Sequence, residues 1–357
     1  MYPSQYTLPY KLQWNFSIDH QFANDLSMGF AYVASVGRHL YASQQQNEVP
    51  LQYQNLPTSL LTANINSPEA RAAGFSEPFP GFSTLWGGNA RVNQAVRRFP
   101  QFNNVNIYGS TYGNSNYQSF QYKLDKRMAR GLQGTVAYTW SKFLTDAAMF
   151  DENPAQQTAF KREKSYSPQD YPHVFTFSFV YNLPFGAGAK WNGGGKLANA
   201  IIGGWQTGSV STYNSGSRLF VTTANNLPLF NSGLRPNILS STVRSDISMG
   251  TYDPNDASRN TYLLRSAFAN PAAGQFGNSP RGLATRGPMT FNESFALIKN
   301  TKIGERVSHQ LRMEIQNPFN RVVFGNPITD FTSAAFGRIS STQVGPRNIQ
   351  VGMKLVF

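Results

Sequence analysis

Apolar and polar residues alternate strictly at the C-terminal end of the chain. The apolar positions are Ile349, Val351, Met353, Leu355 and Phe357, and all but one of the residues between them are polar or glycine. Neighbouring side chains of a β-strand point to opposite faces, so a period of two makes one face apolar and the other mostly polar. The pattern therefore predicts a two-faced strand that ends on an aromatic residue.

The same alternation recurs in eight other segments. They cover residues 12–18, 26–35, 118–124, 132–140, 173–183, 205–214, 291–302 and 307–317. A tilted strand needs about 9–11 residues to cross a membrane, and most of these segments are close to that length. We therefore predict about nine membrane-spanning strands, each with an apolar face and a polar or small face.

Three long connections lack this periodicity and are rich in Pro, Gly and Asn. They cover about residues 38–104, 144–171 and 215–288, and they alternate with short turns along the chain. Structureless loops of this length are uncommon in compact soluble domains, whereas outer-membrane barrels have short turns at one end and long loops at the other. The predicted fold class is all-β, a transmembrane antiparallel β-barrel with long extracellular loops. For a single strand, an edge strand of a soluble β domain is the alternative.

The predicted strand count is odd. Single-chain bacterial barrels have an even number of strands and both ends in the periplasm. The N-terminal residues also lack the charged and apolar regions of a secretory signal. We expect residues 1–357 to be the C-terminal portion of a larger barrel.

Composition agrees with a sheet that faces lipid on one side and water on the other. Aromatic and charged residues each make up 14% of the chain, whereas a charged share of about 25% is usual for soluble domains. The chain has no cysteine, which excludes a disulfide scaffold and cysteine-ligated metal sites.

The net charge of +13 comes from scattered cations rather than from a long basic block. Arg91, Arg97, Arg98, Arg281 and Arg286 all lie in segments predicted to be loops. We expect these cations to contact outer-membrane lipid and lipopolysaccharide, and we expect no nucleic-acid partner. A solvated basic surface is the alternative.

The sequence contains no recognisable catalytic constellation. The four histidines, which do not pair at metal-binding spacing, are His20, His39, His173 and His309. Asp151 and Glu152 are adjacent in a predicted loop, unlike the spaced carboxylates of an acid/base pair. We predict no enzymatic activity, no cofactor and no metal site.

Some polar residues fall on the strand face that would line the interior of a barrel. Asp19, Arg312 and Glu314 are examples. They would either contact a passing solute or pair with one another across the interior. The loops contain no recognisable ligand motif, so the solute remains open.

Several segments, taken in order, resemble a known family. They are TVAYTWSKFLTDA (135–147), SPQDYPHVFTFSFVYNLPFGAG (167–188), GGWQTGSVSTYNSG (203–216), residues 276–320 and the closing GPRNIQVGMKLVF. Together they resemble the C-terminal half of TonB-dependent outer-membrane receptors of the Oar-like type.

The resemblance implies a barrel of roughly 22 strands around a plug, and solute uptake driven through TonB. We expect the plug, the TonB-contacting segment, the regulatory-like domain and the early strands of such a receptor to lie outside residues 1–357, so contact with the TonB complex is expected only through that missing plug. We also expect Val351, Met353, Leu355 and Phe357 to form the barrel assembly signal.

Two other functions remain as alternatives. A complete porin-like diffusion channel would pair its first and last strands. A secreted β-rich adhesin or glycan-binding module would instead bury the aromatic faces of its strands, including Phe175, Phe177 and Phe179, between two sheets.

Overall fold

The computed structural model describes residues 7–146, 164–229, 234–247, 251–303 and 307–356. In chain order, strands β1 to β12 are Tyr10–Ala23, Leu26–Gln45, Asn106–Ala129, Leu132–Thr145, Ser165–Tyr166, His173–Asn182, Trp205–Asn214, Asn237–Ile238, Phe268–Ala269, Thr290–Ile303, Val307–Gln316 and Asn348–Val356. The short helices α1 to α6 are Thr58–Thr62, Pro68–Ala72, Phe82–Trp86, Val92–Ala95, Lys196–Ile202 and Ala257–Asn260. None of the helices in these ranges is long and apolar enough to span a bilayer.

Nine long strands form one antiparallel sheet in the order β1-β2-β3-β4-β6-β7-β10-β11-β12. Each long strand pairs with the next one along the chain, which is the up-and-down connectivity of a barrel wall. Within the described residues, β1 pairs only with β2, and β12 only with β11. The sheet is therefore open, as predicted for a partial barrel of about nine strands, and the pairing expected of a complete small porin is not seen.

Tight turns join the strands at one end of the sheet, which we call the turn end. Arg130 and Gly131 connect β3 to β4 with positive φ angles of 52° and 83°. Two consecutive positive φ angles characterise the type I′ turn, whose twist matches the twist of the flanking strands. At the β1–β2 turn, Asp25 forms an ion pair with Lys126 of β3.

The long connections meet at the opposite end, which we call the loop end. They cover residues 46–105, 146–172, 215–289 and 317–347, and the last of them was not predicted. The predicted boundary at residue 215 is confirmed, because β7 ends at Asn214. The strand β4 runs through Thr145 and pairs there with the short strand β5.

The predicted loop boundary at residue 38 is wrong, because β2 continues to Gln45. The predicted loop end at about residue 104 agrees with the start of β3 at Asn106, although the strand itself was predicted only from residue 118. The register between these strands shifts three times beyond Gly37. Each bulge places an extra residue in one strand and breaks the period of two. This part of the hairpin consequently has no alternating pattern in the sequence.

The hydrophobic core lies in the loops and not on the sheet. Among the described residues there are three buried clusters, and none contains a residue of the nine long strands. One cluster joins residues 215–289 to 317–347, the second joins residues 46–105 to 215–289, and the third lies within 46–105. We call the described parts of the four loop-end connections the loop cap.

Candidate functional site: the concave face and the loop cap

One face of the sheet is concave. Residues from seven strands, β2 to β11, line a single open space of about 1130 Å³, which is possible only if the sheet curves around it. Its lining side chains are mostly polar or small, and they include Ser27, Asp125, Gln133, Thr135, Ser178, Gln206, Ser294, Glu314 and Gln316. The face predicted to be polar therefore points inward, as in a water-filled barrel.

Charged residues on the concave face form local ion pairs. Arg312 Nη2 lies 2.5 Å from Glu314 Oε1, and Lys123 Nζ lies 2.8 Å from Asp125 Oδ2. Since Arg312 and Glu314 are each about half exposed, their pair contributes only about 0–1 kcal/mol. Asp19 lies on β1, at the edge of the sheet, where its register partner is Gly29 of β2. The structure thus pairs Arg312 with Glu314 along the same strand and not across the interior, which was the predicted alternative to contact with a solute.

The other face carries a continuous row of rings. Six register partners on successive strands form what we call the aromatic row: Phe30, Tyr122, Tyr138, Phe175, Tyr213 and Phe291. Three of the five neighbouring pairs have ring centroids 5.3–6.4 Å apart, for example Phe175 and Tyr213 at 6.1 Å. Aromatic girdles of this kind mark the membrane–water boundary of outer-membrane barrels.

The distance between the aromatic row and the turn end matches a bilayer. Tyr213 belongs to the row, and Trp205 begins the same strand on the same face, eight residues earlier. At about 3.3–3.4 Å per residue they lie roughly 27 Å apart along the strand, and a tilt of about 40° reduces this height to roughly 21 Å. An outward apolar band in these barrels is about 25 Å tall, so Trp205 and the aromatic row lie near its two edges.

The aromatic residues of β6 are not enclosed between two sheets. Phe175, Phe177 and Phe179 are partly exposed, and they contact one another and Tyr213. At the end of the strand, the His173 ring stacks on Tyr138, whose hydroxyl lies 2.8 Å from His173 Nδ1. This arrangement contradicts the expectation for a soluble sandwich module.

A buried ion cluster ties the loop cap to the sheet. The Asp170 carboxylate, which is 1% exposed, accepts hydrogen bonds from Arg218, Arg286 and the backbone amide of Phe143 on β4. Arg218 also stacks on Tyr166, with 3.4 Å from its Cζ to the ring centroid. Burial, and then the neighbouring Arg286, lowers the pKa of Arg218.

A second polar cluster lies within the loop cap. The Asn47 amide is fully buried and donates hydrogen bonds to the carbonyl oxygens of Phe99 and Phe102 at 2.9 and 2.7 Å. Burial raises the pKa of the adjacent Glu48 to about 7, against the opposing effect of Arg97. Burial also lowers the pKa of Arg97 to about 10. The sequence analysis identified neither cluster as functional, because the partners are distant in sequence.

A metal site would require several ligating side chains close together. Among the described residues, no group of three or more His, Asp or Glu side chains is placed to hold a metal ion. Asp151 and Glu152 lie outside the described residues. What the structure offers is a polar concave surface with a packed, charged cap at one end.

The closing strand contributes to the lipid-facing side. Val351, Met353 and Leu355 are exposed on the face that also carries Leu311 and Met313 of β11. Phe357, the fourth residue of the predicted assembly signal, lies outside the described residues.

A curved, up-and-down antiparallel sheet with an apolar outer face and a polar inner face defines the class of outer-membrane β-barrel proteins. The family model for the outer membrane beta barrel domain matches residues 1–350, so the chain belongs to that family. Its place is accordingly the bacterial outer membrane. A comparison with curated protein sequences returns no match.

Solved structures similar to this chain are outer-membrane proteins. The outer membrane transporter YddB from Escherichia coli is 7% identical with a TM-score of 0.42, and the match covers 98% of this chain and 32% of that one. The ferripyoverdine receptor of Pseudomonas aeruginosa is 11% identical, with a TM-score of 0.40 and coverage of 98% and 27%. The FrpB iron transporter of Neisseria meningitidis is 10% identical, with a TM-score of 0.37 and coverage of 98% and 31%. The chain thus spans about a third of the length of these proteins.

Proposed function

We propose that residues 1–357 form the C-terminal portion of the barrel of a TonB-dependent outer-membrane receptor of the Oar-like type. The intact protein binds a solute at its loops and admits it when a plug inside the barrel shifts. The observation that carries this proposal is the open sheet, whose polar concave face lies below a packed loop cap. The ordered series of segments that resembles this receptor type supports the same assignment.

The dimensions of the concave space favour a bulky solute. Its volume of about 1130 Å³ already exceeds the roughly 300–1,000 Å³ of pockets that hold drug-sized ligands, although only part of a barrel surrounds it. We infer a solute too large for unassisted diffusion, held by non-covalent contacts and released without catalysis.

Lipid is the second proposed partner. A cavity of about 450 Å³ lies at the loop end between three exposed aromatic residues and a cationic wall. The floor is Tyr32, Phe120 and Trp140, and the wall includes Lys142, whereas Arg286 is paired with Asp170. Rings suit acyl chains and the Lys142 ammonium suits phosphate, so this side of the barrel would contact lipopolysaccharide in the outer leaflet.

Conductance across a planar bilayer tests the transport proposal. A plugged receptor should show no steady ionic current after insertion of the intact protein, whereas a porin-like channel would conduct continuously. The DNA upstream of the Met1 codon gives an independent test. An open reading frame that continues upstream and encodes a plug is expected, and a stop codon directly upstream would contradict the partial-barrel proposal.

A further inference from the structure

The connection between β6 and β7 differs from the tight turns at the same end of the sheet. It covers residues 183–204 and contains the helix α5. Its backbone is closed on itself, because Gly186 approaches Gly203 so closely that a Cβ on Gly186 would lie 2.6 Å from the Gly203 Cα. The Asn199 side chain adds hydrogen bonds to Gly193 and Asn192. The segment is therefore a defined small unit rather than an extended loop.

Contacts from the sheet hold this unit on the lipid-facing side. Lys299 lies two residues after Leu297 on β10 and therefore on the same, lipid-facing side of the sheet. Its Nζ donates hydrogen bonds to the carbonyl oxygens of Ala200, Ile201 and Gly203 at 2.9, 2.8 and 2.8 Å. Trp205, the register partner of Lys299, donates from Nε1 to the Ile201 carbonyl at 3.0 Å. The negative end of the helix dipole lies at the C-terminal carbonyl groups and attracts a cation. Lys299 therefore holds the C-terminal end of α5 against the outside of the barrel.

The helix presents apolar side chains away from the sheet. Leu197 is 77% exposed and Ile201 is 61% exposed, and they lie one turn apart on the same side of α5. Trp191 and Phe185 of the same connection are also exposed. Exposed apolar patches rimmed by polar residues mark protein or membrane contacts.

Position and charge indicate what covers this patch. The apolar patch continues the lipid-facing surface at the height of Trp205, which is the edge of the apolar band on the turn side. Residues 183–204 contain Lys190 and Lys196 but no Asp or Glu. Lysine side chains next to buried apolar groups reach toward lipid phosphates, which attract them electrostatically.

We propose that residues 183–204 form an interfacial membrane segment that binds glycerophospholipid in the leaflet at the turn end. Leu197, Ile201 and Trp191 enter the boundary between headgroups and acyl chains, where such helices reach depths of about 5–10 Å. Lys190 and Lys196 lie among the headgroup phosphates. The segment thereby fixes the height of the barrel wall in the bilayer, and this role does not depend on the identity of the solute.

Residues 1–357 contain no cysteine, so a site-directed labelling test needs no background cysteine removed from this part of the intact protein. Single variants Leu197→Cys and Ile201→Cys of the intact protein are spin-labelled in phosphatidylethanolamine–phosphatidylglycerol vesicles. The membrane-side reference is Leu311→Cys on the lipid-facing side, and the aqueous reference is Leu239→Cys, an exposed apolar residue of the loop cap. Labels at 197 and 201 should be several-fold less accessible to a water-soluble nickel chelate than the label at 239, and as accessible to oxygen as the label at 311.

Two results would overturn the proposal. Chelate accessibility equal to that at residue 239 would show that α5 lies in water, and protection from both reagents would show that protein covers it. The Lys299→Met variant tests the contact between Lys299 and α5 separately. It should increase the mobility of labels at 197 and 201 while leaving a label at 311 unchanged, and unchanged mobility at all three positions would refute the anchoring role of Lys299.

Discussion

Asp170 and Arg218, separated by 48 residues in the chain, form a buried bidentate contact in which Nε and Nη2 of the arginine lie 3.2 and 3.1 Å from the same carboxylate oxygen. Arg286 binds that oxygen as well, so a single carboxylate balances two buried guanidinium groups. The contact connects residues that precede β6 with residues that follow β7. The Asp170 carboxylate therefore holds two parts of the loop cap together.

Asp170→Asn should loosen the loop cap locally. Removing one partner of a buried ion pair typically costs about 3–5 kcal/mol, because a desolvated charge is left without compensation. Hydrogen exchange should report this loss as a lower opening free energy for residues 164–172 and 215–220, while the paired strands remain protected. The control is Asp253→Asn, which removes an exposed partner of Arg259 at 3.5 Å and should cost at most about 1 kcal/mol. Equal effects of the two variants would show that burial does not determine the contribution of Asp170.

Glu48 should make the stability of residues 46–105 pH-dependent. Burial raises the pKa of its carboxyl from 4.5 to about 7, so the folded loop keeps a proton that the unfolded loop has lost between these values. Loop stability should therefore be greatest below pH 4.5, fall as the pH rises toward 7, and stay low above 7. Since the side chain is partly solvated, the total change should be about 1–2 kcal/mol.

The Glu48→Gln variant provides the comparison. It should remove the pH dependence and make the loop more resistant to proteolysis than the wild type at pH 8. Comparing the two proteins at each pH cancels the pH dependence of the protease itself. Parallel profiles of wild type and variant would mean that Glu48 does not carry the effect.

A charge should be tolerated on the concave face and not on the lipid-facing side. Leu297→Lys places an ammonium group in the apolar band and should reduce folding stability in vesicles by about 2–4 kcal/mol. Val210→Lys makes the same type of change on the neighbouring strand but toward the water-filled side, and should change stability little. Denaturant titration in phospholipid vesicles measures both. A larger loss for Val210→Lys would reverse the assigned orientation of the sheet.

Deletion of Phe357 should abolish assembly of the intact protein into the outer membrane, since we propose that this residue acts with Val351, Met353 and Leu355 as the assembly signal. Outer-membrane fractionation and heat-modifiable gel mobility would show the loss. Asn348→Ala, at the other end of the closing strand, should assemble normally. Undiminished insertion without Phe357 would refute the assignment.

The sequence predicted the sheet well where one strand face meets lipid. The segment 205–214 was predicted with the bounds that β7 has in the structure, although its outer face carries a threonine and two serines. The N-terminal half of β3 and residues 38–45 were missed. Both lie beyond the aromatic row, where water reaches both strand faces and no alternation is required.

The candidate sites were less accessible to sequence analysis. Arg286 was correctly placed in a loop and interpreted as a lipid contact or a solvated cation, yet its guanidinium is bound to Asp170. Lys299 lies in a predicted strand, and nothing in the spacing of residues shows that it binds the end of α5. Such contacts join residues about a hundred positions apart, which no local pattern encodes.

By itself, the sequence determined that nine long strands exist, which face of each is apolar, and where three of the four long connections lie. These properties follow from the chemistry of neighbouring residues, because a period of two assigns every side chain to lipid or to water. Only the tertiary structure decided that the long loops pack on one another, that Asp170 joins them to the sheet, and that α5 lies on the outer side of the barrel wall. Those contacts depend on the curvature of the sheet and on the burial of charges between distant segments, which arise only when the chain is folded.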